Sequence, residues 1–180
     1  MAARVISSAP ASHSHSRRAL LRGQLRAKAP LRPPWALSEA AFTDVCTTCH
    51  ACLPACPEGV LVQGPGGYPV FSPERGECTF CGDCETACEP RALDRRDSHG
   101  GHDNRAPWNL LPQFGENCLT AKNVVCRSCS DACGDDAILF PRARVASPQV
   151  NADSCTGCGA CVAACPAHAI TLHHLEAPAP

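Results

Sequence analysis

Cys46-Thr47-Thr48-Cys49-His50-Ala51-Cys52-Leu53-Pro54-Ala55-Cys56-Pro57 is the stretch on which the reading of this chain turns. It sets three cysteines at intervals of three residues and a fourth cysteine four residues further on, followed by proline. Three thiolates so spaced on a tight loop can wrap three corners of an iron-sulfur cubane, while the backbone N-H groups of the loop turn inward toward its sulfides. The fourth faces elsewhere, and in proteins with two clusters it ligates the partner cube. The spacing predicts this fourth cysteine at the start of a short helix, with the proline at a first helical position where no N-H is needed.

The pattern recurs. Cys78, Cys81, Cys84 and Cys88 form a second group and Cys155, Cys158, Cys161 and Cys165, followed by Pro166, a fourth, both with the same intervals. A third group, Cys118, Cys126, Cys129 and Cys133, keeps the last two intervals but opens the first from two intervening residues to seven. All 16 cysteines are thereby used. A disulfide framework would need an oxidising compartment, and cysteines two residues apart pair poorly with one another. Zinc knuckles join two C-x2-C pairs across a longer loop, and thioredoxin-like chemistry uses a single pair. Cubane binding is therefore the reading for groups one, two and four. The wide third group also fits zinc, an incomplete cluster or a labile one.

Composition supports the same conclusion. Leu, Ile, Val and Phe make up only 32 of the 180 residues, about 18%, below the level at which a chain normally builds its own hydrophobic core. Coordinate bonds must replace what that core would supply. A conventional enzyme domain is not expected on these grounds, and no Ser-His-Asp order, nucleotide-binding glycine pattern or zinc-protease helix is present. No stretch approaches the roughly 18 apolar residues of a membrane-spanning helix, so a soluble protein is expected.

Around the sulfurs the repeat continues. Four and five residues after each group's last cysteine stand Val60-Leu61, Ala92-Leu93, Ala137-Ile138 and Ala169-Ile170. Val60 to Val62 and Tyr68 to Phe71 read as strands joined by Gly64-Pro65-Gly66-Gly67, and Ile138 to Phe140 with Gln149 to Val150 as a second hairpin. The fold class expected is α+β. Two ferredoxin-like modules should each enclose a pair of [4Fe-4S] clusters with two short helices and two hairpins. The expected layout is a basic arm (1–38), a module with groups one and two (39–97), a linker (98–113), a module with groups three and four (114–176) and a tail (177–180). Group one should exchange its fourth ligand with group two, and three with four. A nested exchange, one with four and two with three, satisfies the same arithmetic.

The formal net charge of -1 hides an asymmetry, since seven basic residues and no acid precede Glu39. Each oxidised cubane with four thiolates adds about -2, so the body beyond residue 38 would reach about -16. Such a body suits basic partners and repels nucleic acid. Ser16 can cap a helix from Arg17 to about Ala29, on which Arg18, Arg22 and Arg26 form a stripe. Arg17, Arg18, Arg22 and Arg26 are the candidate partner-binding residues, toward an acidic helix or as a peripheral contact with a membrane surface. Ser16-Arg17-Arg18 also opens like a twin-arginine export signal, but Arg22, Arg26 and Lys28 interrupt the apolar stretch that export needs. His50, between Cys49 and Cys52, could bond a cluster sulfur, but with four thiols supplied it reads as a loop residue.

Beyond the cysteines, the chain resembles the NapF-type ferredoxin proteins that accompany the bacterial periplasmic nitrate reductase. The landmarks are Ser16-Arg17-Arg18, Arg32-Pro33-Pro34-Trp35, Gly66-Gly67-Tyr68-Pro69, Pro107-Trp108, the wide third group and Cys155-Thr156-Gly157-Cys158-Gly159-Ala160-Cys161. The resemblance runs from about residue 16 to 172. It implies a cytoplasmic, non-exported protein whose partner is the molybdenum-containing catalytic subunit of that reductase before export. The role implied is maturation, by installing or reducing that subunit's own [4Fe-4S] cluster. It also implies that groups one, two and four ligate three [4Fe-4S] clusters and that Cys118, Cys126, Cys129 and Cys133 form the family's irregular site, a fourth. An electron carrier feeding the reductase chain is the alternative reading.

Overall fold

Apart from one seven-residue helix, helices of a single turn and strands of two to five residues make up the described structure. The computed structural model describes residues 30–96 and 106–175. The arm helix and Arg17, Arg18, Arg22 and Arg26 lie outside the described residues, as do residues 98–105 of the expected linker and the tail.

The first element, α1 (Glu39–Val45), buries Phe42 completely. Then follow α2 (Cys52–Ala55), a hairpin of β1 (Leu61–Gln63) and β2 (Pro69–Phe71), and α3 (Asp83–Thr86). The remainder holds β3 (Leu110–Phe114), α4 (Ser128–Asp131), β4 (Ile138–Leu139), β5 (Gln149–Val150), α5 (Ala160–Ala163) and β6 (Ile170–His174). Three antiparallel two-stranded sheets result, pairing β1 with β2, β4 with β5 and β3 with β6. The first two are the hairpins expected from the turn chemistry, with Leu61 opposite Phe71 and Ile138 opposite Val150.

The fourfold repeat is structural. After every fourth cysteine, the residue three positions on (Gly59, Arg91, Asp136, His168) takes a left-handed conformation. Its N-H returns to the carbonyl of that cysteine at 3.0–3.2 Å. The turn aims the next two residues inward, so Val60-Leu61, Ala92-Leu93, Ala137-Ile138 and Ala169-Ile170 are all buried.

Three expectations are corrected. First, the fourth cysteine closes its helical turn instead of opening it: α2 ends at Ala55 with Cys56 as its C-cap, and Cys88, Cys133 and Cys165 likewise follow α3, α4 and α5. Proline after Cys56 and Cys165 thus stops a helix, as its missing N-H also permits. Secondly, each half has one hairpin, and its second strand contact is non-local. Ala92-Leu93 and Ala169-Ile170 come last in their halves and, among the described residues, are covered by chain preceding the first cysteine. Leu37 N-H donates to Ala92 O at 3.0 Å and Asp94 N-H to Trp35 O at 2.9 Å, while β6 pairs along its length with β3.

Thirdly, the boundaries move. Leu110 to Phe114 is a strand where a linker was expected, with Leu110 and Pro112 facing inward. Residues 30–38, assigned to the arm, belong to the packed body: Pro33, Pro34 and Trp35 are buried. Arg32 lies over the Phe42 and Tyr68 rings while binding the Glu39 carboxylate through two N-H groups.

Phe42→Ala should therefore destabilise the fold by about 3–5 kcal/mol, seen as an earlier midpoint in anaerobic urea unfolding of the iron-loaded protein. Val45→Ala, at an exposed position on the same helix, should stay within about 0.5 kcal/mol of the parent.

Candidate metal centres

In the cysteine loops of groups one, two and four, two residues on either side of the second cysteine have positive φ: Thr48 and His50, Phe80 and Gly82, Gly157 and Gly159. Successive amides in alternating right- and left-handed conformations turn their N-H groups to one side and form an anion-binding concavity. Glycine permits this at three of the six positions, and elsewhere the loop imposes it on threonine, histidine and phenylalanine.

The loops of all four groups line four hollows, each bounded by four cysteines. Cys46, Cys49 and Cys52 share one with Cys88, and Cys78, Cys81 and Cys84 share the next with Cys56. Cys118, Cys126 and Cys129 share a third with Cys165, and Cys155, Cys158 and Cys161 a fourth with Cys133. Every hollow thus takes three sulfurs from one group and the last from another, in the arrangement expected from the spacing rather than the nested one. The space free of protein atoms is nearly equal in all, about 340, 320, 330 and 330 Å³ in the order given.

The donor set fits a cubane. Soft thiolates select iron-sulfur chemistry over hard cations. A single zinc ion would need its ligands within about 2.3 Å of one point, and among the described residues no three His, Cys, Asp or Glu are so placed. When bound, a cubane supplies a one-electron couple whose potential responds to hydrogen bonds at its sulfurs and to solvent exposure. Such bonds are present: the amides of Ala137 and Ala169 donate to Cys133 Sγ and Cys165 Sγ, both at 3.3 Å.

Burial pushes the Cys84 and Cys161 thiols up to about 12 and those of Cys52, Cys78 and Cys129 to about 11. Neighbouring cysteines add to each shift, because gathering several negative charges in one hollow costs energy without a metal. Cys118 moves the other way. Burial raises it, but the Thr120 hydroxyl and the amides of Thr120 and Ala121 outweigh that and lower its thiol below the ordinary value.

The wide interval of group three is occupied by a turn of 3-10 helix (Thr120–Lys122) that ends on Asn123 in a left-handed conformation. This turn and the first residue of α4 give the site two hydroxyls the sequence reading missed. Thr120 Oγ1 lies 3.2 Å from Cys118 Sγ and Ser128 Oγ 3.6 Å from Cys126 Sγ. The available signal was a Ser or Thr two residues after a cysteine. His50, by contrast, binds no sulfur. Its Nε2-H donates to Gly67 O at 2.7 Å, pinning the first loop to the hairpin turn.

A small α+β body organised around repeated four-cysteine loops is the architecture of a ferredoxin-type iron-sulfur protein. Residues 45–93 match the 4Fe-4S dicluster domain family and residues 148–171 the 4Fe-4S binding domain family. Over 165 residues, 90% of this chain, the sequence is 39% identical to 96% of the ferredoxin-type protein NapF of Escherichia coli K12. It is 38% identical to the Haemophilus influenzae protein of the same name, covering 81% of this chain and 80% of that one. A more distant relative is the methylamine utilization ferredoxin-type protein MauM of Paracoccus denitrificans, 37% identical over 75% of this chain and 66% of its own. The chain belongs to the NapF family of ferredoxin-type proteins.

The crossed lining makes a specific expectation. Cys88→Ala should damage the same cluster as Cys46→Ala, and Cys56→Ala the same one as Cys78→Ala. Each should cost about four of about sixteen irons, with the identity of the affected cluster read from its electron paramagnetic resonance (EPR) signal. Loading should also depend on pH. The raised thiols stay protonated in the metal-free fold up to about their shifted values, whereas a ligand must be thiolate, so reconstitution releases protons and should tighten as pH rises from about 6 to 9. Uptake independent of pH would contradict this.

Proposed function

We propose that this chain is an iron-sulfur accessory protein carrying four [4Fe-4S] clusters in two dicluster units, with the cysteine sets of the four hollows as ligands. In this reading it works in the cytoplasm on the precursor of the molybdenum-containing catalytic subunit of periplasmic nitrate reductase. There it assists assembly or redox conditioning of that subunit's own cluster before export. The observation that carries the reading is the 39% identity to NapF across 90% of the chain, joined to the cysteine-lined hollows. Arg17, Arg18, Arg22 and Arg26 are proposed to contact the client, on the ground of their charge and spacing in the sequence.

In a strain lacking the protein, the catalytic subunit should be present but deficient in its cluster. A fully loaded, active subunit in that strain would overturn the proposal. Reversing the charge of the four arginines should weaken co-purification with the client while leaving iron content unchanged.

The second reading is an electron carrier, favoured by the pairs of hollows that share a helical turn, as at Cys52 with Cys56 and Cys84 with Cys88. Purified components separate the two, because a carrier accelerates turnover of already mature enzyme and an assembly factor does not.

A further inference from the structure

The two halves of the molecule meet at the cysteine loops themselves. The amide of Cys78, which lines the second-group hollow, donates to the carbonyl of Cys158, which lines the fourth-group hollow, at 2.8 Å. In the other groups the amide of the first cysteine stays at home: Cys46 N-H goes to Phe42 O, Cys118 N-H to Gly115 O and Cys155 N-H to Asn151 O. Of the four, only the second-group loop sends this amide across to the other half.

The contact is shaped on both sides. Gly157 and Gly159 flank Cys158 with φ of +74° and +92°. A Cβ at Gly159 would lie 2.9 Å from both Phe71 Cζ and Pro73 Cβ, and one at Gly157 2.8 Å from Leu110 O and Trp108 Nε1. No side chain fits between the backbone of the fourth-group loop and its neighbours. Aromatic rings border the junction: Trp108 packs on Phe71 with centroids 4.7 Å apart and against Phe80 at 5.6 Å. Trp108 Nε1 also donates to Thr156 O at 2.9 Å, in the same cysteine loop.

From Cys78 Sγ the connection runs through its own Cβ, Cα and amide, across one hydrogen bond, and down the carbonyl, Cα and Cβ of Cys158 to the second sulfur. Inside each half the corresponding link is longer by a residue. The fourth cysteine's amide bonds to the carbonyl after the third cysteine, as in Cys56 N-H to Leu53 O and Cys165 N-H to Val162 O, both at 3.2 Å.

We propose that the two halves form a single electron path in the order first-group, second-group, fourth-group, third-group site, with the Cys78–Cys158 contact as its central link. This rests on the reading that the hollows hold cubanes. Each transfer oxidises one cluster and reduces the next by one electron, with no proton moved. The electrons enter at either terminal site from a low-potential one-electron reductant, such as a reduced flavoprotein, and leave to an oxidised iron-sulfur centre. First- and third-group sites are the termini, where partners engage.

The test uses the full chain loaded and purified without air. About 16 irons and 16 sulfides per chain establish the sites, and fewer count against that reading rather than against the path. Stepwise reduction with dithionite is then followed by EPR at low temperature. Magnetic broadening should extend across more than two clusters, with the second- and fourth-group signals each changing as the other is reduced. Two independent pairs, each blind to the redox state of the other, would overturn the path while leaving the sites intact. Gly159→Val, which wedges the junction, and Trp108→Leu, which lies outside the cysteine loops, should abolish the cross-half broadening with iron retained. Unchanged broadening in a fully loaded variant would equally overturn it. Should neither variant load, the measurement on the parent protein still decides.

Discussion

A single helical turn that sends its two cysteines to different places is the constraint on which this structure depends. In α2 the thiol of Cys52 faces one hollow and Cys56, just past the turn, faces the next; after α3 the sense is reversed, with Cys84 and Cys88 returning the exchange. A four-residue helix has no stability of its own in water, because the first turn fixes several residues for one hydrogen bond. Here each end of the turn is tied to a separate sulfur site, so helix and sites define one another. The same arrangement around Cys129, Cys133, Cys161 and Cys165 would make each half, with its sites loaded, a closed mutual crosslink.

That crosslinking explains how so few aliphatic residues suffice. The apolar pairs that follow each left-handed turn fill the narrow spaces beside the hollows, and Phe42, Trp35 and Leu172 close the outer sides. Burial of this kind stabilises in proportion to area, and the area is small. What the chain lacks in aliphatic bulk it supplies as thiols, several of them held in surroundings that resist ionisation until a cation arrives. Group three is built alike but tuned differently, with side-chain hydroxyls beside two of its sulfurs.

Much of the local design was legible in the sequence because it is written in short range. The cysteine intervals, the turn at Gly64 to Gly67 and the paired apolar residues after Cys56, Cys88, Cys133 and Cys165 each act within a dozen residues, where spacing alone carries the geometry. Non-local partners were not legible. Leu110-Leu111-Pro112-Gln113-Phe114 carries a proline and a short alternation that a strand and a linker can share. Only the need to cover Ala169-Ile170 makes it a strand. Arg32 to Trp35 were visible as landmarks but not as body, because the rings that meet them, Tyr68 beside Arg32 and Phe80 against Trp35, lie far along the chain. The placement of the fourth cysteine after its helix rather than before it was misread because proline is compatible with either end of a helical turn.

The four left-handed turns carry four different residues, Gly59, Arg91, Asp136 and His168. Backbone preference would ask for glycine at all of them, so the conformation is enforced from outside, by the cysteine anchored on one side and the buried pair on the other. Three of these side chains are exposed and bear respectively a cation, an anion and an imidazole close to a sulfur site. The scaffold is thereby indifferent to the charge displayed there. The electrical face that each compartment shows to a visitor can be rewritten by exchanging one residue, without disturbing the mould beneath.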